Sequence, residues 1–156
     1  MKLYLVQHAE AKSKEEDPQR SLTTEGRQNA EAVAELASKL GLDVIRIFNS
    51  GKTRALETAN ILGDALKPAK GVGIISGLGP LDDVIPIATD MMEKGEDVVL
   101  VGHLPFMERM VGYLVVEDPE QPVVQFHNAG IVCLTREDDQ WQVSWILSSE
   151  IAKAYR

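Results

Sequence analysis

Two short apolar runs constrain this chain more than any other feature: LYLV at 3–6 and VVLV at 98–101, each followed two residues later by a histidine. A run that is apolar at every position describes a strand covered on both faces, and such strands belong to sheets with helices on either side. Helical spacing fills the intervals. Ala30, Val33, Ala34, Ala37 and Leu40 recur with it between Thr24 and Leu40, with Thr23 as the N-cap and Gly41 as the stop. DVIRIF (43–48) reads as a second strand, and GKTRALETANILGDAL (51–66) as a helix ending before Pro68. GVGIISGLGPLDD (71–83) reads as a short strand between turns.

Residues 83–94 read as a helix with Val84, Ile87, Ala88, Met91 and Met92 on one side, the methionines as core filler. EDVVLVGH (96–103) is a strand and PFMERMVGYLV (105–115) a helix. Strands near 130–136 and 141–147, joined by EDDQ, form a hairpin. The alternation predicts an α/β fold, a three-layer α/β/α sandwich with a mostly parallel central sheet. A length of 156 residues suits a single domain, 1–156.

Composition narrows the function. Sixteen basic residues against twenty-four acidic ones give a net charge of −8, and no Lys/Arg cluster supplies the footprint a nucleic-acid binder needs. No run of apolar residues is long enough for a transmembrane helix, and the first residues lack a signal-peptide pattern. The single cysteine, Cys133, permits no internal disulfide and reads as a small buried hydrophobe. The expectation is a cytoplasmic protein with no nucleic-acid or membrane partner. An acidic protein still binds an anion where cations and N–H donors are locally concentrated.

In open α/β folds, ligands bind beyond the carboxyl ends of the strands. Three strands here end on polar residues, as LVQHA, IFNSGKTRA and LVGHLP, which would bring His8, Arg54 and His103 to one edge. A lone histidine after a strand ordinarily caps a carbonyl or a helix end, but two at one edge with an arginine make a constellation. Arg54 and Lys52 sit in the first turn of a helix, where the positive dipole end disfavours cations by roughly 0.3–1 kcal/mol each. They either point into solvent or share an anion with the helix N–H groups, for which a phosphate is suited.

These residues resemble a known pattern. LVQHAEA is similar to the Leu-Val-Arg-His-Gly opening of the histidine phosphatase superfamily, NSGKTRALETA to its Ser-Pro-x-x-Arg-Ala-x-x-Thr-Ala segment, and VGHLP to its second-histidine segment. RSLTTEGRQNA, FHNAGIVCL and WQVSW resemble the SixA-like phosphohistidine phosphatase branch, and the resemblance covers nearly the whole chain. It implies a phosphoglycerate mutase-like fold and a metal-independent hydrolase with no cofactor. His8 would attack phosphorus to form a phosphohistidine intermediate. Arg54 and His103 would stabilise the equatorial oxygens, with Gln7 and the Leu104 N–H as further phosphate-binding groups. The implied substrate is a phosphohistidine-bearing protein or a small phosphomonoester.

The sequence departs from that pattern at two adjacent positions. Gln7 stands where the family has arginine, and Ala9 where it has glycine. Losing a charge-assisted contact in a dry site costs about 2–4 kcal/mol of transition-state stabilisation. Lys12, Lys14 and Lys52 are the candidate compensating charges, and the loss also raises the alternative of a phosphate- or phosphoprotein-binding module with weak turnover. Asp82 and Asp83, in GLGPLDDV, are candidates both for the general acid and for ordinary N-capping. His127 reads as a structural or rim residue, and the GVG triplet as a turn rather than a dinucleotide fingerprint.

Overall fold

A computed structural model describes all residues, 1–156. Six strands form one sheet in the order β3-β2-β4-β1-β5-β6. They are β1 (Lys2–Gln7), β2 (Arg46–Asn49), β3 (Val72–Ile74), β4 (Val98–Gly102), β5 (Ile131–Glu137) and β6 (Gln140–Leu147). The first four in that spatial order pair in parallel, while β5 lies antiparallel to β1 and β6 antiparallel to β5. Five helices flank the sheet: α1 (Thr24–Lys39), α2 (Thr53–Leu66), α3 (Ile85–Lys94), α4 (Phe106–Val116) and α5 (Ser149–Ala154). The expected α/β sandwich with its mostly parallel sheet is the architecture found.

The continuous apolar runs work as the two-faced strands they predict. Tyr4 and Val6 of β1 join Val99, Val101, Ile131 and Cys133 in a core that the buried faces of α1 and α2 close. Leu3 and Leu5 point the other way, with Leu100, Val132 and Leu134, onto Met91 of α3 and Phe106 and Met110 of α4. A side-chain period of two on strands apolar at every position thus yields two cores and three layers.

Local chemistry sets the boundaries. The Thr23 side chain accepts from the Gly26 N–H and starts α1, and Lys67, with φ 50°, ends α2 before Pro68. Gly26 has a second reason to be glycine, because a Cβ there would lie 2.2 Å from the Glu10 carbonyl oxygen. β2 begins at Arg46, later than expected, although the Ile45 N–H already donates to Asp97 O at 2.9 Å. The β5–β6 turn is made by Asp138 and Asp139, both left-handed at φ 51° and 61°, as a two-residue hairpin requires. α5 is an element the sequence reading missed; it is six residues long, too short to show a period, and Ser148 caps it by accepting from the Ile151 N–H.

Candidate active site

The parallel order β2-β4-β1 brings the carboxyl ends of three strands to one edge, with Gln7 paired to Gly102 and Asn49 to Val101. His8 leaves β1 there, His103 leaves β4, and their rings lie 5.2 Å apart between centroids. His8 is fixed from three sides. Its N–H donates to Gly102 O at 2.9 Å, its carbonyl accepts from Asn128 Nδ2 at 2.9 Å, and the preceding Gln7 carbonyl accepts from the Ala129 N–H at 2.9 Å.

The His8 ring is set by its own backbone. Nδ1 lies 2.7 Å from the Ala9 carbonyl, and a carbonyl can only accept, so Nδ1 carries the proton. In the neutral ring the lone pair is therefore on Nε2. Burial lowers the His8 pKa, the Ala9 bond acts in the opposite sense, and the charges of Arg54 and Arg20 lower it further. The neutral ring is thus favoured below the pH at which a free imidazole would protonate.

His103 is buried, with Nε2 2.7 Å from Ser50 Oγ and Nδ1 without a protein partner. Burial, followed by His8, Arg54, Lys52 and Arg20, pulls its pKa down to about 3. Arg54 opens α2 half-buried, with a buried Nε that also lacks a partner. The helix has no side-chain cap and no acidic residue in its first turn, so its dipole and the guanidinium act together. Thr58, buried one turn on, donates to Arg54 O at 2.8 Å and accepts from the Ala9 N–H at 3.0 Å. It ties the exit of β1 to the helix that carries Arg54.

Gln7 ends β1 half-buried, its side-chain amide bonded to no protein group. Ala9 is buried without left-handed backbone, so its methyl group fits without strain. Leu104 precedes α4, and its N–H is taken by no protein acceptor. Asp82 and Asp83 are exposed on the β3–α3 loop. Asp82 Oδ2 accepts from the Gly79 N–H at 2.7 Å and Asp83 Oδ1 from the Ile85 N–H at 3.0 Å, and neither hydrogen-bonds to His8, Arg54 or His103. No group of three His, Cys, Asp or Glu side chains is placed to hold a metal ion.

Three residues around the site went unassigned in the sequence reading: Ser50, Thr58 and Asn128. The first two lie inside NSGKTRALETA, where an i, i+4 relation to Arg54 marks Thr58. Asn128 gives no local signal, because its partner His8 lies 120 residues away.

The α/β sheet thus gathers two histidines and an arginine without a carboxylate partner at its carboxyl edge. The family model of the histidine phosphatase superfamily (branch 1) matches residues 3–78. Phosphohistidine phosphatase SixA of Escherichia coli (strain K12) is 26% identical over 155 residues, covering 92% of this chain and 94% of that one. The structure of the protein histidine phosphatase SixA complexed with tungstate superimposes with a TM-score of 0.83 at 22% identity, over 96% of this chain and 97% of that one. A phosphoserine phosphatase from Entamoeba histolytica in complex with phosphoserine gives 0.72 at 20% identity, over 96% and 98%. The chain is thus similar to the histidine phosphatase superfamily over residues 3–78 and to SixA over nearly its whole length, and it shares the fold of the SixA structure.

Proposed function

We propose that this protein is a phosphatase that transfers the phosphoryl group of a protein phosphohistidine to His8 and then to water. The observation that carries the reading is the bond from His8 Nδ1 to Ala9 O at 2.7 Å, which leaves Nε2 as an oriented nucleophile. The Nε2 lone pair attacks phosphorus, the bond to the leaving group breaks, and its electron pair departs with the substrate imidazole, which takes up a proton. Water then attacks the phosphorylated His8, the P–Nε2 bond breaks, and inorganic phosphate and free imidazole result.

The buried orphan atoms support an anion at this place. Native structures leave few buried polar atoms unpaired, and Arg54 Nε and His103 Nδ1 are two of the five here. A phosphoryl oxygen would satisfy both residues, with the Gln7 amide and the Leu104 N–H as further donors. Asp82 and Asp83 are the candidate acids when the leaving group is an alkoxide. His8, Arg54 and His103 carry the chemistry without a cofactor in this reading, and the whole chain acts as one catalytic domain.

A second reading has its own observation. Gln7 contributes an amide where a guanidinium would add charge, which suits a phosphoprotein-binding module with weak turnover. Incubation with a phosphohistidine protein and with an aryl phosphate separates the two. We expect release of phosphate by the wild type, an acid-labile phosphoryl group on His8, and loss of both in His8→Ala. Phosphate binding with turnover at background selects the binding module, and activity undiminished in His8→Ala removes the nucleophile.

A further inference from the structure

Asn128 is exposed, and the single hydrogen bond of its side chain runs 120 residues back along the chain, from Nδ2 to His8 O at 2.9 Å. A carbonyl oxygen only accepts, so the amide nitrogen faces it. The N–H of the same peptide group, that of Ala9, donates to Thr58 Oγ1 at 3.0 Å. A peptide group is planar, so holding its oxygen and its N–H fixes the plane. The next carbonyl along, Ala9 O, accepts from His8 Nδ1 at 2.7 Å. One peptide, held by two side chains distant in sequence, therefore stands behind the orientation of the ring.

The turn that presents Asn128 is held in a costly shape. Ala129 is buried and left-handed at φ 65°, a conformation an alanine keeps only where its surroundings impose it. In that shape its N–H reaches Gln7 O at 2.9 Å, one residue from the Asn128 bond at both ends. Gly130 closes the turn by donating to His127 O at 3.0 Å, and a Cβ there would lie 3.1 Å from Leu147 O. Phe126 sits in the core under α3 and α4, and Ala129 in the core under α1 and α2. An exposed amide is thus brought to the His8 carbonyl by a strained turn anchored in both cores.

We propose that Asn128 is a positioning residue for His8: with Thr58 it sets the His8–Ala9 peptide, and through the Ala9 carbonyl it keeps the ring proton on Nδ1 and the lone pair on Nε2. This rests on the reading of His8 as the nucleophile. Because Asn128 is exposed, water can replace it as the donor to His8 O, so its loss costs orientation rather than stability. Thr58 differs, since it is buried and its removal orphans the Ala9 N–H.

The test compares wild type, Asn128→Ala, Asn128→Asp, Thr58→Val and the double variant Asn128→Ala/Thr58→Val. Hydrolysis of an aryl phosphate, thermal melting and 15N NMR of the histidine rings are measured on each, the His8 signals being those absent from His8→Ala. Asn128→Ala is expected to lower kcat at least about tenfold with KM within about twofold. Its melting temperature should stay within about 4 °C of wild type. Asn128→Asp keeps the shape without the donor and should lose at least as much rate. The neutral His8 ring should carry its proton on Nδ1 in the wild type and exchange between both tautomers in Asn128→Ala. The double variant should fall within about threefold of the slower single variant, because one peptide is not released twice. A kcat for Asn128→Ala within about twofold of wild type overturns the proposal, as do an unchanged tautomer or losses that multiply in the double variant. If Asn128→Ala does not fold, the wild-type spectrum and Asn128→Asp decide, and a neutral His8 protonated on Nε2 overturns the proposal. Turnover that needs His8 and ignores Asn128 removes the positioning role and leaves the phosphatase reading standing. A His8 tautomer that follows Asn128 in a protein without turnover does the reverse.

Discussion

Ser50 Oγ lies 2.7 Å from His103 Nε2, and this is the only protein hydrogen bond either ring nitrogen of His103 makes. The His103 pKa falls from 6.5 to about 3, so between those values the unfolded chain binds a proton that the folded one does not. Stability therefore rises with pH through that window and is lost on acidification, by at most about 1.4 kcal/mol per pH unit from this group. Urea denaturation at pH 7 and pH 5 should show the loss in the wild type and a smaller one in His103→Gln. Saturating phosphate should shrink it, because an anion favours the protonated ring. An equal pH dependence in both proteins would mean that other groups govern it.

Thr58 joins the two halves of the site, and Thr58→Val removes the only acceptor of the buried Ala9 N–H. Leaving that donor unpaired should cost about 1–3 kcal/mol. We expect kcat to fall more than KM rises, because His8 and Arg54 lose their common tie. Thr58→Ser should restore both stability and rate; failure of that rescue would assign the effect to packing of the methyl group instead.

Gln7→Arg places a guanidinium beside an amide position that no protein group occupies. The added charge should raise kcat/KM about tenfold or more, as a charge-assisted bond does. Steady-state kinetics on an aryl phosphate measures it, and no gain would mean that another group already supplies the charge.

The carboxylates of Asp82 and Asp83 predict a dependence on leaving group. Asp82→Asn or Asp83→Asn should slow hydrolysis of an alkyl phosphate by about a hundredfold if the altered residue is the acid. A phosphoramidate, whose nitrogen leaving group needs less assistance, should be hydrolysed at nearly the wild-type rate. Equal, small losses on both substrates, with a lower melting temperature, would reduce the pair to holding the Gly79 and Ile85 N–H groups.

Much of this was legible before any coordinates. The apolar runs at β1 and β4 predicted a sheet covered on both faces, and LVQHA and LVGHLP put two histidines at one edge because parallel strands share a direction. What stayed hidden depended on contacts between distant residues. Arg54 reads as one more charged residue in a helix, and its lack of a carboxylate partner shows only in the folded chain. The orientation of His8 depends on a carbonyl one residue away, a bond that residue types alone do not specify. The short α5 escaped because one turn and a half is too little to display a period.

The strand that carries His8 is flanked by β4 and β5, and its last two carbonyls are held by residues 128 and 129. His8 is thus fastened by residues some 120 positions further along the chain. Contacts of such long sequence separation form only after a large loop has closed, so the corner after β1 takes its final shape late in folding, and whatever His8 does waits on the docking of residues 128 and 129.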